Sequence, residues 1–147
     1  MGMQWVVVAD SSRARIFQTA GNLESLQEVQ DLLNPQGRMD EAEQRHDAEG
    51  RFYGKGEREQ AHTAEPNVTK EAHDADRFSR EIGRVLADAC DAHRYDSLVV
   101  VAPPAFLGRL RHALPERVER RVTRQLDREI TGWDGTQVGA YLKQVLH

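Results

Sequence analysis

Asp10-Ser11-Ser12 closes the apolar run Trp5 to Ala9, and an acid at the end of a first strand is where some nucleases hold a metal. A ribonuclease-type two-metal site needs several carboxylates gathered from adjacent strand ends and a helix. Asp10 stands at a suitable strand end, and Glu81 could face it from a helix. The strand Leu98 to Ala102, however, ends in Ala-Pro-Pro, with no acid to join them. Asp10 is therefore expected to shape a turn. A second collection, His46-Asp47, His62, His73-Asp74 and Asp76, lacks the spacing of a zinc motif and a second cysteine. His73 and Asp76, three apart on a helix, match many solvated pairs. Ser11 and Ser12 lack a nucleophile-elbow context, and no histidine is tied to them by sequence. Gly54-Lys55-Gly56 completes neither a phosphate loop nor a dinucleotide fingerprint. No catalytic residue, metal or cofactor is assigned.

The arginines carry more. Between Arg109 and Arg128 stand seven (Arg109, Arg111, Arg117, Arg120, Arg121, Arg124, Arg128) against Glu116, Glu119 and Asp127, a local excess of four positive charges. The planar guanidinium fork suits phosphate. The same pattern also fits a solvated face laced by salt bridges such as Glu116–Arg120. The chain as a whole carries a net charge of −4, so any affinity for nucleic acid must come from such a local patch.

The elements that must position these groups follow from periodicity. Gln4 to Ala9 is expected as a buried, β-branched strand. From Arg13 the pattern alternates, with Ala14 and Ile16 on one face and Arg13, Arg15 and Phe17 on the other. Ala20-Gly21-Asn22 marks a turn, and Leu23 to Leu33 a third strand, which gives an antiparallel meander. Residues 34–70 hold four glycines, Pro35, Pro66 and many charges, the composition of a long flexible loop. Thr69 is a plausible N-cap for a helix to about Arg94, with Ala75, Phe78, Ile82, Val85, Leu86 and Ala89 on its apolar face. Ser97 to Ala102 is a second buried strand, and Phe106 to Leu114 a helix. Arg117 to Thr131 reads two ways. Val118, Val122, Leu126 and Ile130 are four apart and suit a helix. Glu116 to Arg121 as a short helical turn, followed by a strand carrying Val122, Leu126 and Ile130, completes an alternating α/β layout and is preferred. Thr136 to Leu146 closes the chain as a helix.

Length and composition agree with this layout. At 147 residues, with 39% hydrophobic and 30% charged side chains, the chain suits a single domain, 1–147, with one solvated surface. Cys90 alone forms no internal disulfide and is expected in the core. No apolar run approaches the roughly 20 residues of a membrane helix, and no signal-like segment opens the chain. The expectation is a cytoplasmic protein without membrane partners.

Four segments together, Trp5 to Phe17, Ala75 to Ile82, Leu98 to Gly108 and Gln125 to Thr131, resemble the bacterial host-attachment protein family. That family is similar to the middle domain of archaeal and eukaryotic peptide-chain release factors, whose fold is related to ribonuclease H. The resemblance implies an α/β domain with a mixed five-stranded sheet: an N-terminal meander, then alternating helices and strands. In the release-factor domain a flexible loop bearing Gly-Gly-Gln precedes a long helix that starts with an Arg-Phe pair. Here Arg77-Phe78 occupies the helix, but the loop offers Gly54-Lys55-Gly56 and a separate Gln60. A non-enzymatic module that meets ribosome or RNA is therefore the leading expectation. Arg51, Arg58, Arg117, Arg120, Arg121 and Arg124 would form its RNA contacts, with Phe52, Tyr53, Lys55 and Gln60 at the loop tip. The alternatives are a metal-dependent phosphodiesterase or hydrolase on a ribonuclease-H-like sheet, and a cell-surface attachment factor.

Overall fold

The computed structural model of the chain describes residues 2–35 and 56–146, with side chains from Lys70 onward in the second stretch. Five strands, β1 (Gln4–Ala9), β2 (Arg13–Thr19), β3 (Gln27–Leu33), β4 (Ser97–Ala102) and β5 (Val122–Asp127), form one mixed sheet in the order β3-β2-β1-β4-β5. The helices are α1 (Gly56–Asp91), α2 (Pro104–Ala113), the single turn α3 (Glu116–Glu119) and α4 (Gly135–Val145). The expected α/β class and the mixed five-stranded sheet are both present.

β1 and β4 lie side by side in parallel, Val6 opposite Val99 and Val8 opposite Val101. Both strands are covered on both faces, which is why they read as unbroken valine runs rather than alternating patterns. One face carries Trp5, Val7, Leu98 and Val100, packed with Phe78, Ile82 and Leu86 of α1, Leu110 of α2 and Val118 of α3. The other carries Val6, Val8, Val99 and Val101, packed with Phe17, Ile130 and, from α4, Val138 and Leu142. Each fully buried valine contributes about 1.5–3 kcal/mol of transfer free energy. The result is three layers, with α1, α2 and α3 on one side of the sheet and α4 on the other.

β2 completes the antiparallel meander with β1 and β3. Its Arg15 is buried at 8% exposure on the α4 face, where its guanidinium meets Glu28 at 2.9 and 3.0 Å and the carbonyls of Thr131, at 2.9 Å, and Trp133. Burying that charge is tolerable because every side of the fork finds an acceptor.

Two elements differ from expectation. The third strand begins at Gln27, not Leu23, because Asn22 to Ser25 make a turn in which Asn22 Oδ1 accepts from the Glu24 amide at 2.9 Å. The long helix begins at Gly56, not Thr69, so the segment 34–70 expected as a loop ends in helix. Glu57, Arg58, Glu59, Gln60 and Ala61, which composition placed in a loop, are also strong helix formers. The helix ends in a Schellman arrangement: His93 N–H donates to Cys90 O at 3.0 Å and Arg94 N–H to Ala89 O at 2.9 Å, with His93 left-handed at φ 58°. The short turn at Glu116 and the strand after it appear as expected.

α4 can approach the meander because position 139 is glycine. A Cβ there would sit 2.1 Å from the Leu23 carbonyl oxygen. Gly139→Ala should therefore lower stability by about 1–3 kcal/mol through overpacking, outweighing the roughly 1 kcal/mol that alanine adds in helix propensity. Urea unfolding should show a lower midpoint with an unchanged slope; an equal or higher midpoint would contradict this packing.

Candidate functional site

Parallel strands leave a crevice outside their carboxyl ends where successive connections diverge, and open α/β sheets place ligands there. Here β1 turns back into β2 through Asp10-Ser11-Ser12, while β4 passes through Pro103 into α2. Between these two connections and α1 lies a cleft of about 440 Å³, lined by Asp10 and Glu129, by Glu71, Ala72 and Ala75 of α1, and by Phe106 and Arg109 of α2. Pro103 and Pro104 begin α2 with no side-chain cap.

Asp10 does form the turn expected of it. Its Oδ1 accepts from the backbone amides of Ser12 and Arg13, both at 2.9 Å, and from the Ser12 hydroxyl at 3.0 Å. Its Oδ2 accepts from the Thr131 hydroxyl at 2.9 Å, which ties the first turn to the loop after β5. That hydroxyl also lies 2.8 Å from Glu129 Oε1, which accepts the Thr131 amide at 3.1 Å. A hydroxyl has one proton, so the Thr131 hydroxyl donates to one of the two carboxyls at a time. Partial desolvation pushes the Glu129 carboxyl above the usual range although the residue is exposed, and the neighbouring Asp10 charge adds to the effect. Burial pushes Asp10 the same way, but the donors from Ser12 and Thr131 outweigh it and hold Asp10 below the usual range. The two carboxyls are thus pushed in opposite directions.

Arg109 walls the cleft opposite this pair. Its Nη1 meets Asp76 Oδ1 at 2.6 Å and the Ala72 carbonyl at 3.3 Å, so it clamps α2 to α1. Asp76 is thereby engaged with Arg109 and does not converge with His73. Glu81 does not line the cleft; it lies ten residues along α1 from Glu71, about 15 Å of helix. Among the described residues no three His, Cys, Asp or Glu side chains gather closely enough to hold a metal ion.

The arginines divide. Arg117 pairs with Asp91 through two bonds of 2.7 and 3.1 Å, and Arg120 pairs with Glu116 at 3.0 Å on the open surface. Among the described residues Arg121 reaches only the Asp96 carbonyl, at 3.5 Å. Arg124 is exposed, and among the described residues it has no hydrogen-bond or ion-pair partner. These four are not one continuous patch. The first three stand at the amino end of β5, and Arg124 lies beyond a bulge in which Thr123 is the extra residue, since Leu98 faces Val122 and Val99 faces Arg124. The bulge turns Arg124 and Leu126 toward the α4 face. Arg58 and Gln60 fall in the first turns of α1, while Arg51, Phe52, Tyr53 and Lys55 lie outside the described residues. The sequence reading missed Glu129 and Glu71. No local motif marks either one; only the parallel pairing of distant strands and the path of α1 bring them to Asp10.

Over residues 5–142 the chain matches the family described as "Protein required for attachment to host cells", and it belongs to that family. No curated protein matches it. Among the described residues no helix is long and apolar enough to cross a membrane.

The carboxyl pair makes a pH-dependent prediction. Glu129 binds its proton more tightly folded than unfolded, so its ionisation costs stability as pH rises past the ordinary glutamate range. Glu129→Gln keeps an oxygen for the Thr131 donors and removes that cost. The variant should gain stability over the parent at pH 7 and lose most of the gain near pH 4, as read by urea unfolding at both values. A gain that is larger at pH 4 would contradict a raised Glu129 carboxyl.

Proposed function

We propose that this member of the attachment family is a non-enzymatic, release-factor-like module that contacts ribosome or RNA in the cytoplasm through the arginines around β5. One observation carries the reading. On a chain of net charge −4, β5 and the turn before it keep guanidinium groups with no carboxylate partner among the described residues: there Arg121 meets only a backbone carbonyl, and Arg124 is unpaired. Arg120 adds a third, since its exposed pair with Glu116 is of the kind worth only about 0–1 kcal/mol and gives way readily to phosphate. The order of elements, a meander, then a long helix, then a strand parallel to the first, supports the same reading, although Arg77-Phe78 lies well inside that helix rather than at its start.

The cleft favours a second reading, a metal-dependent phosphodiesterase or hydrolase that uses Asp10 and Glu129. An Asp10 occupied by the Ser12, Arg13 and Thr131 donors, beside a Glu129 occupied by Thr131, is a poorer start for two cations than free, converging acids. RNA cleavage with magnesium or manganese, lost on Asp10→Asn, would establish it. A cell-surface attachment role would show as the protein outside the cell.

Ribosome co-sedimentation at low salt tests the first reading, because phosphate contacts are strongest there. The protein should pellet with ribosomes, and the triple reversal Arg120→Glu, Arg121→Glu, Arg124→Glu should abolish it. Binding that survives the reversal removes the proposed surface, and no binding of the parent protein removes the reading.

A further inference from the structure

Beyond the bulge, Arg124 on β5 and Arg128 just past it follow one line, and Arg128 lies beside an aromatic ring. Arg124 lies opposite Val99 and Leu126 opposite Val101, so both occupy the face on which α4 packs. Arg128 continues that line past the end of the strand, and its guanidinium lies 5.1 Å from the centre of the Tyr141 ring on α4. Trp133 meets Tyr141 edge to face, with ring centres 5.8 Å apart. Both rings are half-buried: anchored in the core behind, they keep part of their surface at the rim. Arg124 and Arg128 are exposed and about 13 Å apart along an extended chain. Asp127 points to the opposite face, alternating with these residues, and Asp134 is engaged in capping α4 through the Gln137 amide.

We infer that this rim is a platform for single-stranded RNA, with Arg124 and Arg128 on phosphates and unpaired bases stacked on Trp133, Tyr141 or the Arg128 guanidinium. The inference rests on the proposed RNA contact and names its substrate class. Arginine over an aromatic ring is a pre-assembled stacking surface, and only unpaired bases expose faces to it. Duplex RNA offers phosphates but no free base faces. An acidic peptide offers carboxylates and gains nothing from the rings. Binding one face of β5 and α4 also separates this platform from Arg117, Arg120 and Arg121 at the strand's other end.

The test is fluorescence anisotropy at low salt with a labelled oligouridylate, a duplex of the same length, and polyglutamate as competitor. The single strand should bind at least tenfold tighter than the duplex, and polyglutamate of equal charge should compete poorly. Arg124→Gln with Arg128→Gln should weaken single-strand binding about tenfold and flatten the salt slope by about 1.4, the value for two phosphate contacts on a single strand. Tyr141→Leu should also weaken binding, whereas Tyr141→Phe, which keeps the ring, should restore it. Equal affinity for duplex, full competition by polyglutamate, or unchanged binding in the double arginine variant each overturns the platform. Single-strand binding lost only on changing Arg120 and Arg121 overturns it too, yet leaves the broader RNA reading standing. No RNA binding at all removes both.

Discussion

The parallel pairing of β1 with β4 is the constraint on which the rest of the molecule depends. Two strands running the same way need a long crossover, and this chain makes it by way of the meander and the 36-residue helix α1. Because both strands are central, each must be covered twice. Trp5, Val7 and Val100 demand α1 and α2 on one side; Val6, Val8 and Val101 demand α4 on the other. The meander, the late β5 and the final helix all serve to cover or extend this pair. So does the cleft, which exists because β1 and β4 end side by side and their connections leave in different directions.

At that end the chain ties itself with polar groups. Asp10 organises the β1–β2 turn and reaches across to Thr131, while Arg15, one strand over, holds the carbonyls of Thr131 and Trp133. The loop between β5 and α4 is thus fixed from the N-terminal meander, by one acid and one buried base. This has a functional consequence. Trp133, at the rim beside Arg128, is held by the same bonds that hold the fold, so an aromatic and basic surface is presented in a fixed geometry rather than on a free loop.

Much of this was legible in the sequence, for identifiable reasons. β1, β2, β4 and α4 are each a local periodicity with turn chemistry at its ends, and the turn-forming role of Asp10 follows from the serines after it. The short helical turn at Glu116 and the strand beyond it were only half legible: Val118, Val122, Leu126 and Ile130 are four apart and suit a helix as well, and only the alternating layout of helices and strands favoured the strand. The start of α1 was not legible, because Glu57 to Ala61 serve a solvated loop and a solvated helix equally well. The start of β3 was missed because Leu23 and Leu26 look like strand anchors but pack against α4 from a turn. The arginines were visible as a charge excess, but not their division: a single-residue bulge at Thr123 decides which face Arg124 takes. Glu129 was invisible as a partner of Asp10, since only tertiary pairing joins them.

Two surfaces therefore compete for the function, the arginine-bearing side of β5 and the carboxyl-lined cleft. Amide chemical-shift mapping of the full chain during titration with ribosomal RNA fragments at low salt separates them directly. Perturbations should gather on Arg121 to Arg128, Trp133 and the exposed side of α4, and spare Asp10, Ala75 and Phe106. Perturbations centred on the cleft residues, with β5 unmoved, would contradict it.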